Sequence, residues 1–245
     1  MLTGLAIPSL VACGASPSPV PPRSVGTAVD VSVPQSVLTL PLTDSQGRPT
    51  SLAAYRGKIV VLADAMTLCQ EVCPLLGANF VLMAHATTRS GAAQKVQFVQ
   101  LTVDPDRDTP ARLAAYREFF HPAPTNWSTL TGPASSIKAI WHFFGIAYAR
   151  VPEGSPAAVD WWTGKQLTYD VQHSDVVLFL DGRQHERFII DATPNTGGQS
   201  PPQPLKNFLS AEGRKNLAQP EPGGSWTVGD GLSVVSWLTG KKVQP

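Results

Sequence analysis

Two of the three cysteines in the chain stand four residues apart, in Cys69-Gln70-Glu71-Val72-Cys73-Pro74. Thiols with this spacing can close a small disulfide, or they can converge on one soft metal ion. Pro suits the first turn of a helix, so the pair is expected where a strand gives way to a helix N-terminus. The helix dipole there favours thiolate over thiol, and thiolate is both the nucleophile and the metal-binding form. Structural zinc takes four protein ligands, usually from two such pairs, and the chain has no second pair. Copper accepts low-coordinate sulfur or mixed sulfur and nitrogen donors. A copper site here needs one more group, most simply an imidazole. Of the five histidines, His85, His121, His142 and His185 fall on polar helix positions, loops or turns, where a surface or core role suits them. His173, in Tyr169-Asp170-Val171-Gln172-His173-Ser174-Asp175, stands before an apolar run, where it can face a neighbouring strand-to-helix loop.

The elements that must position these groups can be read from periodicity. Ile59–Ala63, Lys95–Val103 and Val176–Leu180 are continuous apolar or β-branched runs of the kind buried on both faces of a sheet. Helices are expected over 74–89, over 110–120 behind an Asp108-Thr109-Pro110 cap, over 135–144, and over 231–238. Ile146–Val151 reads as a strand, 152–168 as a hairpin insertion, and Asp181-Gly182 as a hairpin turn. Residues 191–225, rich in Pro, Gly, Asn and Gln, read as a long loop. The chain has 245 residues, 42% hydrophobic and 15% charged, with a net charge of +1. That is long enough to bury a core without disulfide staples and too apolar for wholesale disorder. Near-neutral charge argues against a nucleic-acid partner, because phosphate neutralisation needs clustered Lys and Arg. Strands alternating with helices and ending in a hairpin imply one α/β domain.

Three separated blocks resemble the SCO/SenC family of thioredoxin-like, membrane-anchored copper chaperones for cytochrome c oxidase assembly. They are Thr67-x-Cys69-x-x-x-Cys73-Pro74, then Thr102-Val103-Asp104-Pro105-Asp106-Arg107-Asp108-Thr109-Pro110, then His173-Ser174 leading to Asp181-Gly182. The resemblance implies a thioredoxin-like fold with a central mixed sheet flanked by helices, plus a hairpin insertion. It implies Cys69, Cys73 and His173 as copper ligands, a terminal-oxidase copper centre as acceptor, and a thiol reductant as partner. Asp104, Arg107 and Asp108 either support the metal site or a partner surface, or form a local turn and cap. Ala65-Met66 departs from the aromatic-rich family approach to the first Cys. Met66 offers either a thioether near the site or packing. Trp161-Trp162 offers either an exposed partner edge or a satellite cluster. The rival readings are a thiol-disulfide oxidoreductase using the same two thiols and a peroxide reductase with Arg107 as the activating cation.

The N-terminus points to compartment. Residues 1–12 are uncharged and apolar, and Leu10-Val11-Ala12-Cys13 resembles the lipobox of bacterial lipoproteins. That resemblance implies removal of 1–12, lipidation of Cys13, and anchoring outside the bacterial cytoplasmic membrane. The alternative is a buried segment with an inert Cys13. The Pro-rich 15–24 suits an extended tether. The expected organisation is a signal over 1–12, anchor and tether over 13–36, and the folded domain over 37–245.

Overall fold

The structure, a computed structural model, describes residues 25–245. The apolar segment 1–12, Cys13 and residues 14–24 lie outside the described residues. The elements run β1 (Thr27–Ser32), α1 (Gln35–Leu38), β2 (Leu42–Asp44), β3 (Pro49–Thr50), β4 (Ile59–Ala65), α2 (Cys73–Arg89), β5 (Val96–Thr102), α3 (Pro110–Glu118) and β6 (Trp127–Thr131). They continue with α4 (Ala134–Phe143), β7 (Tyr148–Pro152), β8 (Tyr169–His173), β9 (Val176–Leu180), β10 (His185–Asp191), β11 (Thr193–Asn195), α5 (Gln203–Phe208), α6 (Ala211–Ala218), β12 (Ser225–Thr227) and α7 (Val228–Thr239).

The central mixed sheet has the order β1-β10-β9-β4-β5-β6-β2-β3. Every residue of β4 and β5 is buried, as expected of strands covered on both faces. They pair in parallel from Ile59 with Val96 to Ala65 with Thr102. β9 pairs antiparallel on the other side of β4, Leu62 lying opposite Leu178. The C-terminal end of β4 therefore lies beside the start of β9, and the loops from both meet at one edge. β7 and β8 form a hairpin outside the main sheet, Tyr148 opposite His173 and Pro152 opposite Tyr169, so the stretch read as a hairpin over 152–168 is mostly the connection between these two strands. No helix among the described residues is long and apolar enough to cross a membrane.

Four readings of the sequence are corrected. Residues 27–32 belong to the sheet and not to a tether: β1 pairs with β10, Thr27 opposite Ile189 and Ser32 opposite His185. Its side chains are nearly all exposed, so the strand carries no buried apolar run to betray it. β6 went unread because Trp127–Thr131 is short and mostly hydroxylated, yet it pairs with β5. The turn at Asp181-Gly182 is wider than two residues. Asp181 N–H donates to the His185 carbonyl at 2.9 Å, and Gln184 takes a φ of 64°. That left-handed backbone is unusual outside Gly, Asn and Asp. Gln184 is buried, and its Nε2 donates to the Leu52 carbonyl at 2.7 Å. The stretch 191–225 is not an irregular loop. It holds β11, α5, α6 and β12, with β11 and β12 parallel. Its buried anchors, Leu205, Leu209 and Trp226, are too sparse to give a periodic signal among so many polar residues.

Candidate metal centre

β4 ends at Ala65, and after residues 66–72 α2 begins at Cys73, with Pro74 in its first turn. Both cysteines are free thiols and buried. Cys73 N–H, at the helix N-terminus, donates to Cys69 Sγ at 3.3 Å. The neighbouring Cys73 thiol is the main cause that draws Cys69 well below the usual thiol range. Burial pushes Cys73 well above it, reinforced by Cys69. The pair thus holds one thiolate and one thiol.

β8 delivers His173 to the same point. Its Nε2 is 3.4 Å from Cys73 Sγ, and one ligand atom from each of Cys69, Cys73 and His173 lies within 4.8 Å of the others. Nδ1 faces two acceptors, Asp64 Oδ2 at 2.7 Å and the Ser174 carbonyl at 2.8 Å. Neither can donate in that arrangement, so Nδ1 carries the proton and Nε2 is the nitrogen turned to the sulfurs. Burial opposes charging of His173, but the Asp64 carboxylate and the Cys69 sulfur outweigh it and raise the imidazole well above its usual range. Asp64 was missed in the sequence. A carboxylate inside the apolar β4 run was the available signal, because buried charge is retained only when paired. The other four histidines are absent from this cluster.

The surrounding loops fix these parts. Asp108 is buried and accepts from Thr67 Oγ1 at 2.5 Å, Thr102 Oγ1 at 2.7 Å and the Thr67 backbone N–H. The helix cap itself is Thr109, which accepts from Arg112 N–H. Asp104 pairs with Arg107 and accepts from Tyr169 Oη at 2.9 Å. Arg107 stacks 3.8 Å from the Tyr169 ring centroid and donates to the Tyr169 carbonyl. The second sequence block thus touches both the approach to Cys69 and the start of the His173 strand. Arg107 is engaged by Asp104 and Tyr169, and the basic side chain that meets the thiol pair is His173, so the peroxide-reductase reading loses its activating arginine. Trp161 packs edge-on against Phe119 and donates its indole N–H to the Thr67 carbonyl at 2.8 Å, whereas Trp162 is largely exposed. Met66 is buried and borders, with Cys69, Glu71, Asp170, His173 and Asp175, a cleft of about 460 Å³ that opens on the site.

Burial lifts Asp108 to about 6 despite its three donors. The folded state therefore holds this proton more tightly than the unfolded chain, whose carboxyl titrates near 4. Wild-type stability is expected to fall, relative to Asp108→Asn, by up to about 3 kcal/mol as pH rises from about 4 to 6, and to stay level above that. Denaturant midpoints of the two proteins across that window measure it. A difference that does not vary with pH refutes the assignment.

The fold and site define a class: a thioredoxin-like α/β protein with a reduced thiol pair at a strand–helix junction and a carboxylate-oriented imidazole brought to it by a hairpin. The SCO1/SenC family model matches residues 37–197. The chain belongs to the SCO1/SenC family. It is 32% identical over 139 residues to "Protein SCO2 homolog, mitochondrial" of Bos taurus, covering 57% of this chain and 47% of that protein. An SCO2-like protein of Rickettsia prowazekii is 28% identical over 157 residues, covering 61% and 67%. The chain thus spans about half the length of the mitochondrial relatives it matches. Copper-bound ScoI of Bradyrhizobium japonicum shares the fold at a TM-score of 0.51 and 21% identity, covering 76% of this chain and 99% of that one. Copper-bound yeast Sco1 does so at 0.50 and 17%, covering 79% and 96%.

Proposed function

We propose that this chain is a copper chaperone that binds the ion through Cys69, Cys73 and His173 and delivers it to a terminal-oxidase copper centre. The convergence of two sulfurs with an imidazole nitrogen whose opposite nitrogen is held by Asp64 carries the reading. Membership of a family whose relatives include copper-bound proteins supports it. Copper is cargo here. The Cys69 sulfur already has thiolate character. Loading requires Cys73 and His173 Nε2 to release their protons, so affinity weakens as pH falls. Asp64 keeps the ring oriented throughout. Oxidation of the pair to a disulfide removes two electrons and the one remaining thiol proton and leaves no thiolate, so a thiol reductant must restore the binding form. In this reading Asp104, Arg107 and Asp108 support the site from behind. Lipidation of Cys13 would hold the domain outside the cytoplasmic membrane, and a Cys13→Ser variant is then released into the soluble fraction.

Anaerobic titration of the reduced protein with copper(I) tests the proposal: one ion per chain is expected, and none after oxidation to the disulfide. Asp64→Asn is expected to weaken copper(I) by about 10- to 100-fold, the usual cost of losing an outer partner to a ligand histidine. Unchanged affinity in that variant removes Asp64 from the site.

A further inference from the structure

The family match ends at residue 197, yet residues beyond it grip the loop between the two cysteines. Ser210 N–H donates to the Gln70 carbonyl at 2.8 Å. Gly213, buried in the first turn of α6, is packed so tightly that a Cβ there would stand 2.3 Å from that same oxygen and 3.0 Å from Glu71 Cα. Both obstacles are backbone and cannot swing aside. Ser210 Oγ accepts from Gly213 N–H at 3.1 Å, so one residue both caps α6 and holds Gln70. Leu205 and Leu209 bury the segment against the domain. Asn79 of α2 donates to the Asn195 carbonyl at 3.3 Å, tying β11 to the thiol-bearing helix.

The peptides between Cys69 and Cys73 decide where the Cys69 sulfur lies. The bond from Cys73 N–H to the Cys69 sulfur spans this loop but leaves its middle peptides free, and they sample many backbone states unless outside contacts restrain them. Here the restraint on its second peptide comes from a helix about 140 residues away in sequence, a separation set by tertiary packing and not by local propensity.

We propose that Ser210 and Gly213 are positioning residues for the thiol pair: the start of α6 clamps the Gln70–Glu71 peptide and thereby sets the Cys69 sulfur against Cys73 and His173. Its consequence for copper rests on the function proposed above; its consequence for the thiols does not.

Ser210 has a φ of −64°, which proline adopts without strain. Ser210→Pro deletes the N–H that holds Gln70. Ser210→Ala deletes only the side-chain cap and so measures what loosening α6 does alone. Gly213→Ala pushes on the Gln70 carbonyl directly. The readouts are iodoacetamide alkylation of Cys69 in the metal-free reduced protein, the sulfur-to-copper band of the copper(II)-loaded protein, copper(I) affinity by chelator competition, and the thermal midpoint. Ser210→Pro and Gly213→Ala are expected to change the alkylation rate several-fold, to shift the band, and to weaken copper(I) by about tenfold, as loss of an outer positioning contact does. Ser210→Ala is expected to lower the midpoint with a much smaller change in rate and band. The clamp is overturned if Ser210→Pro and Ser210→Ala have the same alkylation rate and band, or if Gly213→Ala matches wild type in both. Should Ser210→Pro not fold, Gly213→Ala decides. Wild-type protein that takes up no copper(I) would refute the proposed function, and the alkylation comparison would still decide the clamp.

Discussion

His173→Ala is expected to weaken copper(I) by more than the about 10- to 100-fold that loss of an outer partner costs, because an inner ligand is removed. Its capacity for thiol–disulfide exchange should survive. The reason lies in how the Cys69 thiolate is held. The Cys73 thiol is its first support, and His173 contributes after it. Without the imidazole the pair still holds a shared proton and still sits at the α2 N-terminus, where the Cys73 N–H donates to the Cys69 sulfur. Exchange with a dithiol slows as thiolate character falls, but it is not abolished. A chaperone therefore loses its cargo while keeping its thiol chemistry. An oxidoreductase has no need of an imidazole whose far nitrogen is locked by Asp64. Chelator competition and a dithiol exchange assay on the same preparation separate the two. Equal loss of both activities, or retention of copper, would count against delivery and in favour of an ordinary redox module.

Asp160→Ala is expected to lower stability by about 3–5 kcal/mol, the cost of leaving one partner of a buried pair alone. Arg112 and Asp160 are both buried, and the guanidinium meets the carboxylate in two parallel bonds of 2.8 and 2.7 Å. Asp160 Oδ1 also accepts from the Trp162 and Thr163 backbone N–H groups. Removing the carboxylate strands a buried cation beside the Trp161 and Trp162 rings, 5.6 and 4.9 Å from their centroids. For a chain of this length the unfolding midpoint should drop by about 10 °C. Asp160→Asn, which keeps an acceptor, should cost less. Burial works against the ionised carboxylate, but Arg112 and the backbone donors win and hold it well below the usual range. Its contribution to stability is thus present above the unfolded carboxyl value near 4 and is lost as pH falls below that. Because Trp161 also holds the Thr67 carbonyl, the insertion hairpin braces the approach to Cys69. Copper(I) affinity in Asp160→Ala should fall with stability, and thermal scans with and without copper separate the two effects.

The residues themselves determined the parts with strong local signals. Continuous apolar runs named β4, β5 and β9 as buried strands. The Cys-x-x-x-Cys-Pro order placed the thiols at a helix start, and Thr109-Pro110 announced α3. Spacing alone left a choice between disulfide and metal; placement before an apolar run pointed to His173, and the resemblance of three blocks then implied it as a ligand. Everything depending on distant partners was settled only by folding. β1 and β6 are exposed or hydroxylated strands whose pairing comes from a neighbour and not from their own pattern. The docking of 191–225 rests on a few buried side chains dispersed through polar sequence. Asp64, Asp108 and Ser210 each act on groups more than 40 residues away. Periodicity reports which face of an element is apolar, but it carries no record of which element will lie against it. The meeting of β4, β8 and α6 at one sheet edge is fixed by the strand order and by packing. It is there that two sulfurs, an imidazole and their supports acquire a common centre.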